Sequence, residues 1–202
     1  MISWRVTGVV MVAASCLVLG AIPAAQGAGD HCLPSKTLKR ITKQDLKSWG
    51  CIYSNNADAR SEALGDGDDG ITQCNNQAKA NPDDQVWDGV DQDASTLGGV
   101  DQEGIGAAAL GDSNIADELV LFKPAFARKE ADQRTLRRAE AAFRTGAGYE
   151  KGMTKAVQEA ASKLGDHDCS AAQQQIDVAK THGDDAEKAE RDGLNLIAKL
   201  VH

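Results

Sequence analysis

A chain of 202 residues with a formal charge of −8 and only 4% aromatic residues narrows its own possibilities before any motif is read. The negative balance argues against a general nucleic-acid binder, because a phosphate backbone rewards net positive charge. Few aromatics leave the core to Ala, Leu, Val and Ile, which suits closely packed helices better than a β-sandwich.

Met1 to Gly27 reads as a secretory signal: Arg5, an apolar run from Val6 through Leu19, then small residues ending in Ala25-Gln26-Gly27. That run is short for a span of ~20 residues, so no membrane span is expected after cleavage. A secreted or periplasmic location follows as the expectation, with residues 28–202 as one helical domain.

The cysteines then become informative. Setting aside Cys16 within the signal leaves Cys32, Cys51, Cys74 and Cys169, an even set in a chain sent to an oxidising compartment. Two disulfides are expected. A helix from Thr37 to Trp49 would hold Cys51 about 20 Å from that helix's own start, which disfavours Cys32 with Cys51. The expected pairs are Cys51–Cys74 and Cys32–Cys169. No two of the four form a CxxC pair, so no metal site is read from them.

Next in order, Ser35 or Thr37 can cap a helix carrying Leu38, Ile41, Leu46 and Trp49, with Gly50 placed to end it. A short helix is expected from Asn55 or Asn56 through Leu64. Gly65 to Gly70 then reads as an acidic turn, since its glycines fall where a calcium loop needs carboxylates. Ile71, Cys74 and Ala78 mark one more short helix, stopped by Pro82.

Asp83 to Asp112 is rich in Gly and Asp and poor in large apolar residues, and is expected to be a mobile acidic loop. Its carboxylates, Asp91, Asp93 and Asp101 among them, are candidates for holding a hard cation or a basic partner. Ten acidic residues and no Lys or Arg lie between Ala80 and Phe122, whereas nine basic residues face four acidic ones between Lys123 and Lys155. Blocks of opposite sign attract, so the acidic stretch is expected near the basic helix, each exposed pair contributing about 0–1 kcal/mol. Where the basic face stays free, Arg128, Arg134, Arg137 and Arg138 are the candidates for an anionic polymer or acidic protein.

The longest helical signal runs from Asn114 to Leu164. Ile115, Leu119, Phe122 and Phe126 share a face, as do Leu136, Ala139 and Phe143, then Met153, Val157, Ala160 and Leu164. Pro124 should break this region after Phe122, leaving a main helix from Ala125 to Thr145. Gly146 and Gly148 are expected to break it again before a helix over Tyr149 to Leu164. Further on, Gly165 closes a helix, Ser170 with Gln173 reads as a capping box, Gly183 ends the next helix and Asp184 with Glu187 caps the last.

Candidates for chemistry are sparse. Glu140 and Glu150 could serve as the acid of a polysaccharide hydrolase, which needs two carboxyls across a cleft. His167, flanked by Asp166 and Asp168, could act as an acid or base oriented by a carboxylate. No cofactor is implied. The expectation is therefore an all-α, disulfide-stapled bundle of five to seven helices with an acidic loop insert, acting as a non-enzymatic binding or inhibitory protein. A secreted lysozyme-like hydrolase and an extracellular divalent-cation-binding protein are the alternatives.

Overall fold

The computed structural model describes residues 39–80, 82–126 and 129–201. The signal segment, Cys32 and Arg128 lie outside those residues. Among the described residues the secondary structure is helical, without a strand. No helix among them is long and apolar enough to cross a membrane.

Helix α1 spans Lys43–Lys79 and opens on a capping box, in which Thr42 Oγ1 accepts from the Asp45 N–H at 3.2 Å and Asp45 Oδ2 accepts from the Thr42 N–H at 2.7 Å. The cap is thus Thr42 rather than Ser35 or Thr37. Helix α2 (Asp88–Thr96) runs through a π-helical turn over Leu97–Asp101 into α3 (Gln102–Phe122). The expected break at Pro124 is present, as α3 gives way to a 3-10 turn over Lys123–Phe126. Helix α4 spans Glu130–Gly165 and α5 spans Cys169–Ala198. Asp168 caps α5, accepting from the Ala171 N–H at 3.0 Å in place of the expected Ser170.

The chain runs up and down. One apolar cluster joins the C-terminal half of α1 (Ala63, Ile71, Cys74) to Val90, Leu97, Ile105, the C-terminal half of α4 and the N-terminal half of α5. A second cluster joins Ile41 and Trp49 to the C-terminal half of α3, the N-terminal half of α4 and Ile197 and Leu200. Each end of the bundle therefore mixes helix starts with helix finishes, which requires alternating directions. Between the clusters lies a layer of buried polar side chains, to which α1, α3, α4 and α5 each contribute.

Three expectations are corrected. Residues 83–112 are mostly helix rather than loop, because Val90, Leu97 and Ile105, spaced by seven and eight, fall on one buried face. The π turn at Leu97–Asp101 accommodates the additional residue of the longer step. Secondly, the glycines do not interrupt α1, α4 or α5. Several are buried where a neighbour approaches too closely for a side chain: a Cβ on Gly67 would lie 2.5 Å from Ile176 Cδ1, and one on Gly193 would lie 2.7 Å from the Phe143 ring. Thirdly, Cys74 bonds Cys169, with Cα atoms 5.6 Å apart. Cys51–Cys74 is impossible because α1 is continuous, so its 23-residue rise separates the two by about 35 Å. Cys32–Cys169 is excluded with it, since Cys169 is already used. Cys51 is itself disulfide-bonded, to a partner outside the described residues.

Candidate functional site

Four helices converge on one guanidinium. Arg60 of α1 is 4% exposed, and Asp112 of α3, Glu150 of α4 and Glu190 of α5 are fully buried. One terminal nitrogen of Arg60 donates to Glu150 Oε1, and the other donates to Glu190 Oε2 at 2.8 Å. Asn56, one turn before Arg60, donates its amide to Glu190 Oε1 at 2.7 Å and to Asp112 Oδ1 at 3.2 Å. Burial works against the charge of Arg60, but the hydrogen bonds and charges of Glu190 and Glu150 outweigh it and raise its pKa. Burial likewise pushes the Glu150 carboxyl up to about 7, with Arg60 opposing the rise.

This layer contains Glu150, one of the hydrolase candidates, but gives it no cleft. Its carboxyl is sealed inside the bundle and bound to Arg60, so a glycosidic oxygen has no route to it. Glu140 lies near the surface, where the hydrogen bond from Lys123, at 2.7 Å, and the one from Arg144, at 3.3 Å, hold its carboxyl below the usual range. A general acid needs the opposite shift.

His167 sits in the α4–α5 turn with φ +58°, a left-handed conformation uncommon outside glycine, in which His, Asn and Asp are the enriched residues. Its ring stacks on Trp87, centroids 4.1 Å apart and planes 12° apart, and Nε2 lies 3.1 Å from Asp91 Oδ1. The carboxylate partner is therefore Asp91 rather than Asp166 or Asp168. Among the described residues the contacts of the ring are Trp87 and Asp91, neither of them a hydroxyl or thiol. The arrangement fastens the α1–α2 connection to the α4–α5 turn beside the Cys74–Cys169 bond.

The acidic candidates divide. Asp93 and Asp101 face α1, where burial comes first and the charges of Asp66 and Asp69 (for Asp93) or Asp66 and Glu62 (for Asp101) second in raising their carboxyls, that of Asp101 to about 6. The buried Oδ2 of each has no hydrogen-bond donor. Asp91 is turned away to His167. Among the described residues no group of three or more His, Cys, Asp or Glu is arranged to hold a metal ion.

On the basic face of α4, most charge is answered from within. Arg134 pairs with Glu130, Arg144 with both Asp117 and Glu140, and Lys123 with Glu140. The Asp117–Arg144 contact, at 3.0 Å, is the direct link between the acidic and basic blocks. Arg137 and Arg138 are exposed and have no carboxylate partner among the described residues. Arg138 also lines a groove of about 390 Å³ between α4 and α5, floored by Ala141, Ala142, Ala189 and Leu196 and rimmed by Asp185, Lys188 and Asp192, with Tyr149 alongside.

Sequence reasoning missed Asn56, Arg60, Asp112 and Glu190. A signal was present: Asp112 lies between Ile105 and Leu119 on the apolar stripe of α3, Glu150 between Phe143 and Val157 on that of α4, and Glu190 between Ala186 and Ile197 on that of α5. A charge at a stripe position in three successive helices marks a shared buried layer. No protein-family model matches this chain, and neither a curated protein nor a solved structure matches it.

Proposed function

We propose that this chain is a non-enzymatic binding protein working outside the cytoplasm, secreted or periplasmic, whose contact surface is the α4–α5 groove lined by Arg138, together with the exposed Arg137 that precedes it on α4. The observation that carries the reading is the contrast along α4: Arg134 and Arg144 are neutralised by neighbours, whereas Arg137 and Arg138 are exposed and unpaired. Arginine next to a concave surface with an aromatic and small apolar residues is the composition from which interface hot spots are drawn. Asp185 and Asp192 on the opposite rim repel a uniformly anionic polymer, so an acidic protein segment that also carries a basic residue fits better. The Cys74–Cys169 bond accords with an oxidising compartment.

The test is a pull-down from the native extracellular fraction, comparing the wild-type protein with R137E/R138E at low and high salt. The reading expects a protein captured at low salt, weakened at high salt by screening, and lost by about tenfold or more in the double variant. Capture unchanged by the double reversal would remove this surface from consideration.

A further inference from the structure

The buried layer contains more negative groups than its one guanidinium can answer. Asp112, Glu150 and Glu190 are fully buried carboxyls, and Arg60 is the cation among them. Were all three ionised, two uncompensated charges would sit out of water, a state that proteins avoid by neutralising a group.

Geometry selects which carboxyl keeps a proton. Glu150 and Glu190 each accept from Arg60, so their charge is answered even though Glu150 Oε2, like Asp112 Oδ2, has no hydrogen-bond partner. Asp112 forms no ion pair or hydrogen bond with Arg60. Its Oδ1 accepts a single bond from Asn56 at 3.2 Å, and its buried Oδ2 has no donor. That oxygen is pressed against Gly146 of α4, in the space a Cβ would fill, with the Glu190 side chain beside the same glycine. An acceptor with no donor, next to a carboxylate that can accept, becomes satisfied when it carries the hydrogen itself.

We propose that the layer is a proton latch: Asp112 enters the folded bundle as the neutral acid, its hydroxyl donates to Glu190, and release of that proton to solvent loosens α3 from α4 and α5. Burial first, and the charge and hydrogen bond of Glu190 next, push the Asp112 carboxyl up to about 9, with Glu150 adding to the rise and Arg60 opposing it. The groups facing Asp112 are thus Asn56 and Arg60 from α1, Glu150 from α4 and Glu190 from α5. The folded state keeps a proton that the unfolded chain gives up near pH 4. The stability it contributes is therefore complete below that pH and falls as pH rises, while the latch itself stays closed until pH approaches 9.

Thermal unfolding of the full chain between pH 5 and 8, for the wild type and for Asp112→Asn, tests this. The amide keeps the acceptor for Asn56 and places a permanent donor where the acid hydroxyl points. The wild-type melting temperature should fall more steeply than that of the variant, by about 3 °C per pH unit. In parallel, the side-chain carboxyl carbon of Asp112 in the wild-type protein, followed by NMR, should stay in its protonated position through pH 7. This second reading decides the matter even if the variant does not fold. Parallel melting curves, or a carboxyl that titrates below pH 5, would overturn the latch.

Discussion

Arg60 donates to Glu190 Oε2 at 2.8 Å while its other terminal nitrogen binds Glu150, so one side chain of α1 ties α4 to α5 at mid-bundle. The two apolar clusters lie on either side of it. Removing the cation leaves Glu150 and Glu190 buried without a countercharge, the costly way to break such a group. Arg60→Leu is expected to destabilise the fold by about 3–5 kcal/mol in urea unfolding at pH 8. Arg60→Lys should recover only part of this, since an ammonium lacks the two-armed fork. The loss should shrink at pH 5, where protonated carboxyls no longer need the cation. An Arg60→Leu protein within 1 kcal/mol of wild type at pH 8 would show that the layer is not held by this side chain.

Glycines in the helices separate into two kinds with opposite expected effects. A Cβ at Gly146 would press into Asp112 Oδ2 inside van der Waals contact, and one at Gly193 would meet the Phe143 ring at 2.7 Å. Each Gly→Ala change there should destabilise by about 1–3 kcal/mol, as overpacking does. Gly50 lies inside α1 with nothing within 4 Å of the added carbon, so Gly50→Ala should stabilise by about 0.4–1 kcal/mol by restricting the unfolded chain. Chemical denaturation of the three single variants checks the sign of each. Equal effects at Gly50 and Gly146 would contradict the assignment of Gly146 as a packing socket.

These same glycines explain why the fold was only partly legible in the sequence. The apolar spacing of Leu136, Phe143, Met153 and Val157 gave the helical class and the stripe of α4 correctly, and Pro124 marked the end of α3. Gly50, Gly65, Gly146 and Gly183 were read as breaks because propensity treats glycine as a helix terminator. In the bundle, tertiary contact reverses that preference where Gly67 and Gly193 admit Ile176 and Phe143. The same error divided α1 and so permitted the Cys51–Cys74 pairing. Of the candidate site residues, Arg137 and Arg138 are singled out in the sequence by charge alone. Their freedom is not visible there, since it depends on Glu130, Asp117 and Glu140 reaching other arginines.

The covalent link between α1 and α5 spans 95 residues of sequence. Closing a loop of that length restricts the unfolded chain substantially, so Cys74→Ser with Cys169→Ser should lose about 2–5 kcal/mol. The double replacement is the fair comparison, because a single one leaves an unpaired thiol that can react on its own. Peptide mapping without reduction should recover the Cys74 and Cys169 peptides joined. Recovery of Cys51 joined to Cys74 would contradict the continuous α1.

Asp101 offers a stabilising change whose size depends on pH. Its side chain ends the π turn facing Asp66 and Glu62 with a buried Oδ2 that lacks a donor, and burial with those charges raises its carboxyl to about 6. A carboxyl raised above its unfolded value of about 3.9 adds stability below that pH and loses it as pH climbs through 6. At pH 7.5 the ionised group faces like charges without relief, and Asp101→Asn removes the repulsion while supplying a donor towards Asp66. The variant should therefore melt higher than wild type at pH 7.5, and the gain should vanish by pH 4, where wild-type Asp101 carries its own proton. A melting temperature raised equally at both pH values would mean that the amide acts through packing, and a lowered one at pH 7.5 would mean that the carboxylate has a favourable partner.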